Sequence, residues 1–213
     1  MSSARGIYHG ATNGNGPWPN TAAAYVPSVS LLSRSIYLHA ARFMPNADHG
    51  QDNPPFLNNA ASFPVGTPAW FAHSMAFPQP VTGGSWAQCT WAFPTNGDTA
   101  VVPEYKIMWY HLNDTQSGRV CGWQIHATCH VDGTIFAGGG PGTAMSDQSL
   151  AYVGGVPRMQ ITGTTAVPVT GPALLVAGGL INVNVYRGAP SFGAEYQGLC
   201  HLLGVECRYR VVA

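Results

Sequence analysis

The sequence predicts an all-β protein. Apolar and polar residues alternate with a period of two in several separate runs, as half-buried strands require. The runs are short, and turn-forming residues divide them, drawn from 26 glycines and 17 prolines. No stretch keeps a helical period between helix caps.

The clearest run is the last, Leu202 to Val212. Leu203, Val205, Cys207, Tyr209 and Val211 fall on one face, and Glu206, Arg208 and Arg210 on the other. A strand patterned this way at the end of a chain is expected to close a sheet. Val120 to Val131 is the next best. Cys121, Trp123, Ile125, Ala127, Cys129 and Val131 form its apolar face, and Gly122, Gln124, His126, Thr128 and His130 its polar face. Asp132 and Gly133 then give a strong two-residue turn, with a short return strand from Ile135. Further strands are expected over Ser35–Phe43, Ala69–Phe77, Trp86–Phe93, Glu104–Leu112 and Leu180–Arg187, with weaker ones at Arg158–Thr162 and Leu174–Val176. The 113–118 segment reads as a hairpin connection, and 137–142 as a glycine-rich loop. Eight to ten strands in one domain suit a jelly-roll-like antiparallel β-sandwich.

Residues 1–28 read as an extended N-terminal arm ahead of that domain, 29–213. The arm mixes Gly10, Gly14, Gly16, Pro17, Pro19 and Pro27 with large apolar side chains. Ile7, Tyr8, Trp18 and Tyr25 are suited to anchoring it, on a neighbouring subunit or back on its own domain. Residues 44–68 form a proline-rich loop containing Phe56, long enough to suggest an interaction surface.

Composition excludes several functions. Charged residues are 8% of the chain against the usual value of about 25%. Lys106 is the only lysine, and the formal net charge is zero. No basic field exists to hold nucleic acid, and no basic amphipathic segment to hold a membrane. The low charge is not disorder, because the chain carries six Trp, nine Tyr and eight Phe. A neutral surface has little repulsion to keep copies apart, which points to an assembled protein. The start of the chain lacks the apolar core of a signal peptide, and the apolar stretch 166–185 is too interrupted to span a bilayer. The chain is therefore expected to be made and kept in a cytoplasm, or packaged there.

No catalytic set stands out. Among eight histidines, His111, His126 and His130 are the nearest in sequence. His126 and His130 share a strand face but lie about 13 Å apart, too far for one ion. They read as a polar outer face or a subunit contact titrating near neutrality. Across a hairpin, His111 could approach either. Cys200 and His201 are adjacent in sequence, so their side chains point apart. No catalytic residue, metal ligand or cofactor is nominated. Cys89, Cys121, Cys129 and Cys207 fall on apolar strand parities and read as buried thiols. A disulfide such as Cys129 to Cys207 stays open. Trp70 and Tyr110 belong to a set of aromatics suited to core or subunit interface, or alternatively to a sugar-binding groove.

Two groups of residues carry a resemblance. One is Trp109 and Tyr110, Gly118, Arg119 and Val120 with Trp123, then Asp132 and Gly133. The other is Val183, Val185 and Arg187, then Leu202, Leu203, Gly204, Val205, Glu206 and Tyr209. Together they resemble small all-β virion proteins of tailed bacteriophages, over roughly residues 86–213. The resemblance implies a capsid decoration (cement) protein on the outside of a phage head. It would be a homotrimer made in the host cytoplasm, with the major capsid protein as partner. A receptor- or glycan-binding module of a head or tail fibre is the alternative. Unlike highly acidic decoration proteins this chain is neutral, which favours apolar and hydrogen-bonded contacts over electrostatic docking.

Overall fold

A computed structural model describes residues 31–45, 56–62, 71–78, 85–111, 119–133, 142–145, 148–149, 159–170 and 174–212. In chain order the strands are β1 (Leu31–His39), β2 (Met44–Pro45), β3 (Phe56–Ser62), β4 (Phe71–Phe77), β5 (Ser85–Ala92), β6 (Glu104–His111) and β7 (Val120–His130). They continue with β8 (Thr143–Ala144), β9 (Gln148–Ser149), β10 (Gln160–Ile161), β11 (Thr165–Ala166), β12 (Val169–Thr170), β13 (Leu180–Gly188) and β14 (Cys200–Val212). The described residues contain no α-helix, only a single 3-10 turn, Ala40–Arg42, after β1.

The strands form two sheets. The first runs β10-β6-β14-β4-β3, with β1 also beside β14 and β11 beside β6. The second runs β12-β7-β13-β5-β2, with β8 and β9 also beside β7. Among the described residues every strand pairing is antiparallel except the short β12–β7 contact, and one isolated bridge, Val120 to Glu195, is also parallel. The orders β4-β14-β6-β10 and β5-β13-β7-β8, traced by a chain that alternates between sheets, make a jelly roll.

One core fills the space between the sheets. Ile181, Val183 and Val185 of β13, Trp123, Ile125 and Ala127 of β7, and Tyr105, Ile107 and Trp109 of β6 are buried in it. Trp109 and Trp123 meet across the sandwich with centroids 5.9 Å apart, and Phe77 meets Trp123 edge-on at 5.2 Å. All five cysteines are buried free thiols.

β14 does not trail into solvent, but it lies in the middle of the first sheet and does not close it. Cys200–Leu202 pair with β4, and Gly204–Val212 pair with β1. Along its other edge, Cys200–Arg208 pair with β6. The turn after β5 seals the end, where Asp98 N–H donates to the Arg210 carbonyl and Val212 N–H to that of Asn96.

Several expectations need correcting. Leu203 does not share a face with Val205. The register against β6 shifts between Leu202 and Gly204, a β-bulge that leaves Leu203 as the extra residue. Leu202 is therefore the core residue, and Leu203 is half-exposed. The bulge falls where the neighbour of β14 changes from β4 to β1. A Cβ on Gly204 would come within 2.6 Å of the Leu38 carbonyl oxygen and of the Tyr37 ring. Tyr37 also donates its hydroxyl to the Leu203 carbonyl at 3.0 Å.

β6 and β7 are not a hairpin, because they lie in opposite sheets, and 112–118 join the two layers. His111 follows Ile107 and Trp109 on the inward face, so it does not approach His126 or His130 across a hairpin. Leu174–Val176 are not a strand but lead into the turn before β13. The proline-rich 44–68 segment contains β2 and β3. The arm 1–28 and the return strand from Ile135 lie outside the described residues.

Candidate functional site

Four regions outside the sandwich core are candidates for meeting a ligand or partner, though one of them, Ser74, Tyr110 and His201, is buried. The outer face of the second sheet is the most polar. Its strand register sets Gln88, Asn184 and His126 in one row across β5, β13 and β7. Thr90, Asn182 and Thr128 form the next row, and Trp86, Tyr186 and Gln124 the row on the other side. His126 Nε2 lies 2.7 Å from Thr170 Oγ1, and Thr128 Oγ1 lies 3.1 Å from His130 Nε2. Burial lowers the His126 pKa, so the ring favours its neutral form. Trp86 and Tyr186 stack at 5.6 Å with their planes 22° apart. The Oδ1 atoms of Asn182 and Asn184 are buried without a hydrogen-bond partner among the described residues. His126 and Asn184 are buried, but the half-exposed Trp86 and Tyr186 beside the Gln88 and Gln124 amides can stack on a sugar ring and bond its hydroxyls.

The outer face of the first sheet carries Ser74, Tyr110 and His201 from β4, β6 and β14. Ser74 Oγ is 3.0 Å from the Tyr110 hydroxyl and 3.3 Å from His201 Nδ1. The Tyr110 and His201 rings stack at 4.7 Å. Burial, and then the nearby His111, lower the His201 pKa to about 4. So weak a base is a poor proton acceptor for serine at neutral pH. His201 Nε2 has no hydrogen-bond partner among the described residues, so no third group orients the ring. The arrangement is a packed polar cluster. Cys200, next in the chain, faces the opposite way into the core.

At the β1 end of the same sheet a groove of about 340 Å³ collects much of the chain's charge. Arg34, Glu104, Glu206, Arg208 and Arg210 line it. Lys106 Nζ and Arg208 Nε grip Glu206 at 2.6 and 3.0 Å. The Lys106 hydrogen bond, with help from Arg208, holds the Glu206 carboxyl below its usual range.

The fourth region is apolar. Leu174, Val176 and Leu180 are 80%, 39% and 47% exposed. Ala177–Leu180 border a groove of about 490 Å³ with His130–Gly133 on its other wall. Gly178 takes a positive φ of 79°, and a Cβ on Gly179 would lie 2.7 Å from Cys129 Sγ. The glycine pair therefore forces a turn, and Leu174 and Val176 before it face outward while Leu175 packs against the core. Sequence reading missed this tip, although the sign was present: an apolar run ending in Gly178 and Gly179 cannot continue as a strand.

Sequence reading also missed Arg187, which is fully buried. Its guanidinium donates from Nη1 to the Phe77 and Gly198 carbonyls, at 2.9 and 2.6 Å, and from Nη2 to that of Tyr196. It also lies 5.7 Å from the centre of the Tyr196 ring. It ties β13 to the end of β4 and to the segment before β14, so its role is architectural.

Of the residues nominated from sequence, only the side chains of Tyr110, His126 and His130 are described. Ile7, Tyr8, Trp18, Tyr25 and Trp70 lie outside the described residues, as does the Phe56 side chain. Tyr110, His126 and His130 are 1%, 5% and 5% exposed. Tyr110 is on one sheet and the two histidines on the other, and none offers much surface to another subunit. No group of three metal-ligating side chains occurs among the described residues.

No protein-family model matches the chain. No curated protein matches it either. Among solved structures, the K1 cleaved adhesin domain of Lys-gingipain from Porphyromonas gingivalis W83 aligns with it at 15% identity and a TM-score of 0.36, covering 84% of this chain and 97% of that one.

Proposed function

We propose that this chain is a structural virion protein, a capsid decoration (cement) protein that binds the outside of a phage head and bridges capsomers. The observation that carries the reading is the apolar tip 174–180, presented by a sandwich in a chain with only 8% charged residues. Such a tip loses water-exposed apolar area when a neighbour covers it, and the scarcity of charge lowers the desolvation cost of burying what surrounds it. Of the residues behind the virion-protein resemblance, Trp109, Trp123, Val183, Val185, Arg187, Leu202 and Val205 are buried framework positions, which speak to the fold and not to the role. In this reading the body forms a homotrimer, the major capsid protein is the partner and the role is non-enzymatic. The test is co-sedimentation with expanded capsids that lack the protein. Leu174→Asp should weaken binding about tenfold or more, as loss of a central apolar anchor does. Unchanged occupancy would remove the tip from the interface and with it the support for this reading.

A second reading, a glycan-binding fibre module, is favoured by the half-exposed Trp86–Tyr186 stack beside Gln88 and Gln124. It requires glycan-array binding that Trp86→Ala abolishes. An array with no signal for the intact protein would dismiss it.

A further inference from the structure

Cys121 and Cys200 face each other across the core. Cys121 belongs to β7 of the second sheet and Cys200 to β14 of the first, and both side chains are fully buried. Their sulfurs lie 2.9 Å apart. A disulfide bond is about 2.05 Å long, so closing the gap takes a movement of about 0.9 Å. The other thiols have different surroundings. Cys89 Sγ contacts the Thr90 carbonyl at 3.8 Å, Cys207 lies against Tyr105, and Cys129 packs beside Gly179.

We propose that Cys121 and Cys200 form a disulfide that staples the two sheets together. Both partners are on central strands. β13 holds β7 in register, and β4 and β6 hold the start of β14. The bond would close the whole segment between residues 121 and 200, including β8 to β13, into one loop. A long loop closed across two layers restricts the unfolded chain strongly. The idea does not depend on the virion reading.

The chemistry balances with a glutathione-type disulfide as oxidant. One cysteine, as thiolate, attacks oxidised glutathione, forms a mixed disulfide and releases one glutathione thiolate. The second cysteine gives up its proton, attacks the protein sulfur of that mixed disulfide and displaces the second glutathione. The two cysteines together lose two electrons and two protons. Burial raises the Cys121 pKa well above its ordinary value, so thiolate is scarce in the closed sandwich. Oxidation therefore proceeds while the sheets are still coming together or during transient opening. A chain folded under reducing conditions would keep the dithiol until it met an oxidising environment.

The test uses the full chain. Unfolded, reduced protein is refolded in a buffer of reduced and oxidised glutathione, free thiols are alkylated and the peptides are mapped. The expected result is a linked pair of peptides containing Cys121 and Cys200, with Cys89, Cys129 and Cys207 alkylated. The oxidised protein should also unfold at a higher denaturant concentration, and reductant should abolish the difference. The double variant Cys129→Ala, Cys207→Ala should still form the link, whereas Cys200→Ala should leave Cys121 alkylatable. Five alkylated thiols in the refolded wild-type protein, or a link through any other cysteine, would overturn the proposal. The wild-type map decides the matter even if a variant fails to fold.

Discussion

Replacing Arg187 by methionine keeps a long apolar stem in the core and deletes the guanidinium. Three backbone carbonyls, those of Phe77, Tyr196 and Gly198, then lose their donor. Each buried acceptor left unpaired costs about 1–3 kcal/mol. Against this stands the relief of no longer burying a charge, which offsets part of the loss. Three such losses less that relief give a net destabilisation of about 3–5 kcal/mol. For a domain of this size that lowers the melting temperature by about 6–20 °C. Arg187→Lys should fall between wild type and methionine, because one ammonium cannot reach three carbonyls spread along two segments. Thermal unfolding followed by circular dichroism measures all three proteins. A methionine variant melting within about 2 °C of wild type would refute the reasoning, because an unfolding entropy of ordinary size turns even 1 kcal/mol into a larger shift.

Other outcomes follow from the same geometry. Gly204→Ala should cost about 2–4 kcal/mol in chemical denaturation, because its methyl group would collide with the Leu38 carbonyl and the Tyr37 ring. Gly133→Ala should cost only about 1 kcal/mol, since its φ of 79° is strained for alanine but nothing lies within 4 Å of the new group. His201 should make the fold acid-sensitive. Its folded pKa, about 4, lies below the unfolded value of about 6.5, so the unfolded chain takes up the proton first. Its stabilisation is complete above about pH 6.5, falls as the pH drops to about 4, and amounts to roughly 2–3 kcal/mol. Denaturant midpoints measured from pH 7 to 4 should show that slope, and His201→Gln should flatten it.

Much of the architecture was legible because a strand's period of two survives in any sequence that buries one face. β5, β7, β13 and β14 each display it. What escaped was set by neighbours beyond the strand. The bulge at Leu203 answers a change of partner from β4 to β1, which no local pattern records. The 112–118 connection carries ordinary hairpin residues, yet it joins opposite sheets, because the loop composition is the same in both cases. β3 was hidden in a proline-rich segment, where composition argued for a loop. Arg187 did leave a sign: it shares the inward parity of Ile181, Val183 and Val185, where a charge is out of place unless it is bonded. The polar face of β7 was read correctly as outer but not as buried, since the alternation marks chemistry and says nothing of what lies over it.

Electron microscopy of capsids is the decisive test of the decoration role. Expanded capsids lacking the protein would be mixed with the purified chain and reconstructed. A decoration protein should give regular density at capsomer junctions, with the 174–180 tip turned toward the shell. Bare capsids at saturating protein would contradict it.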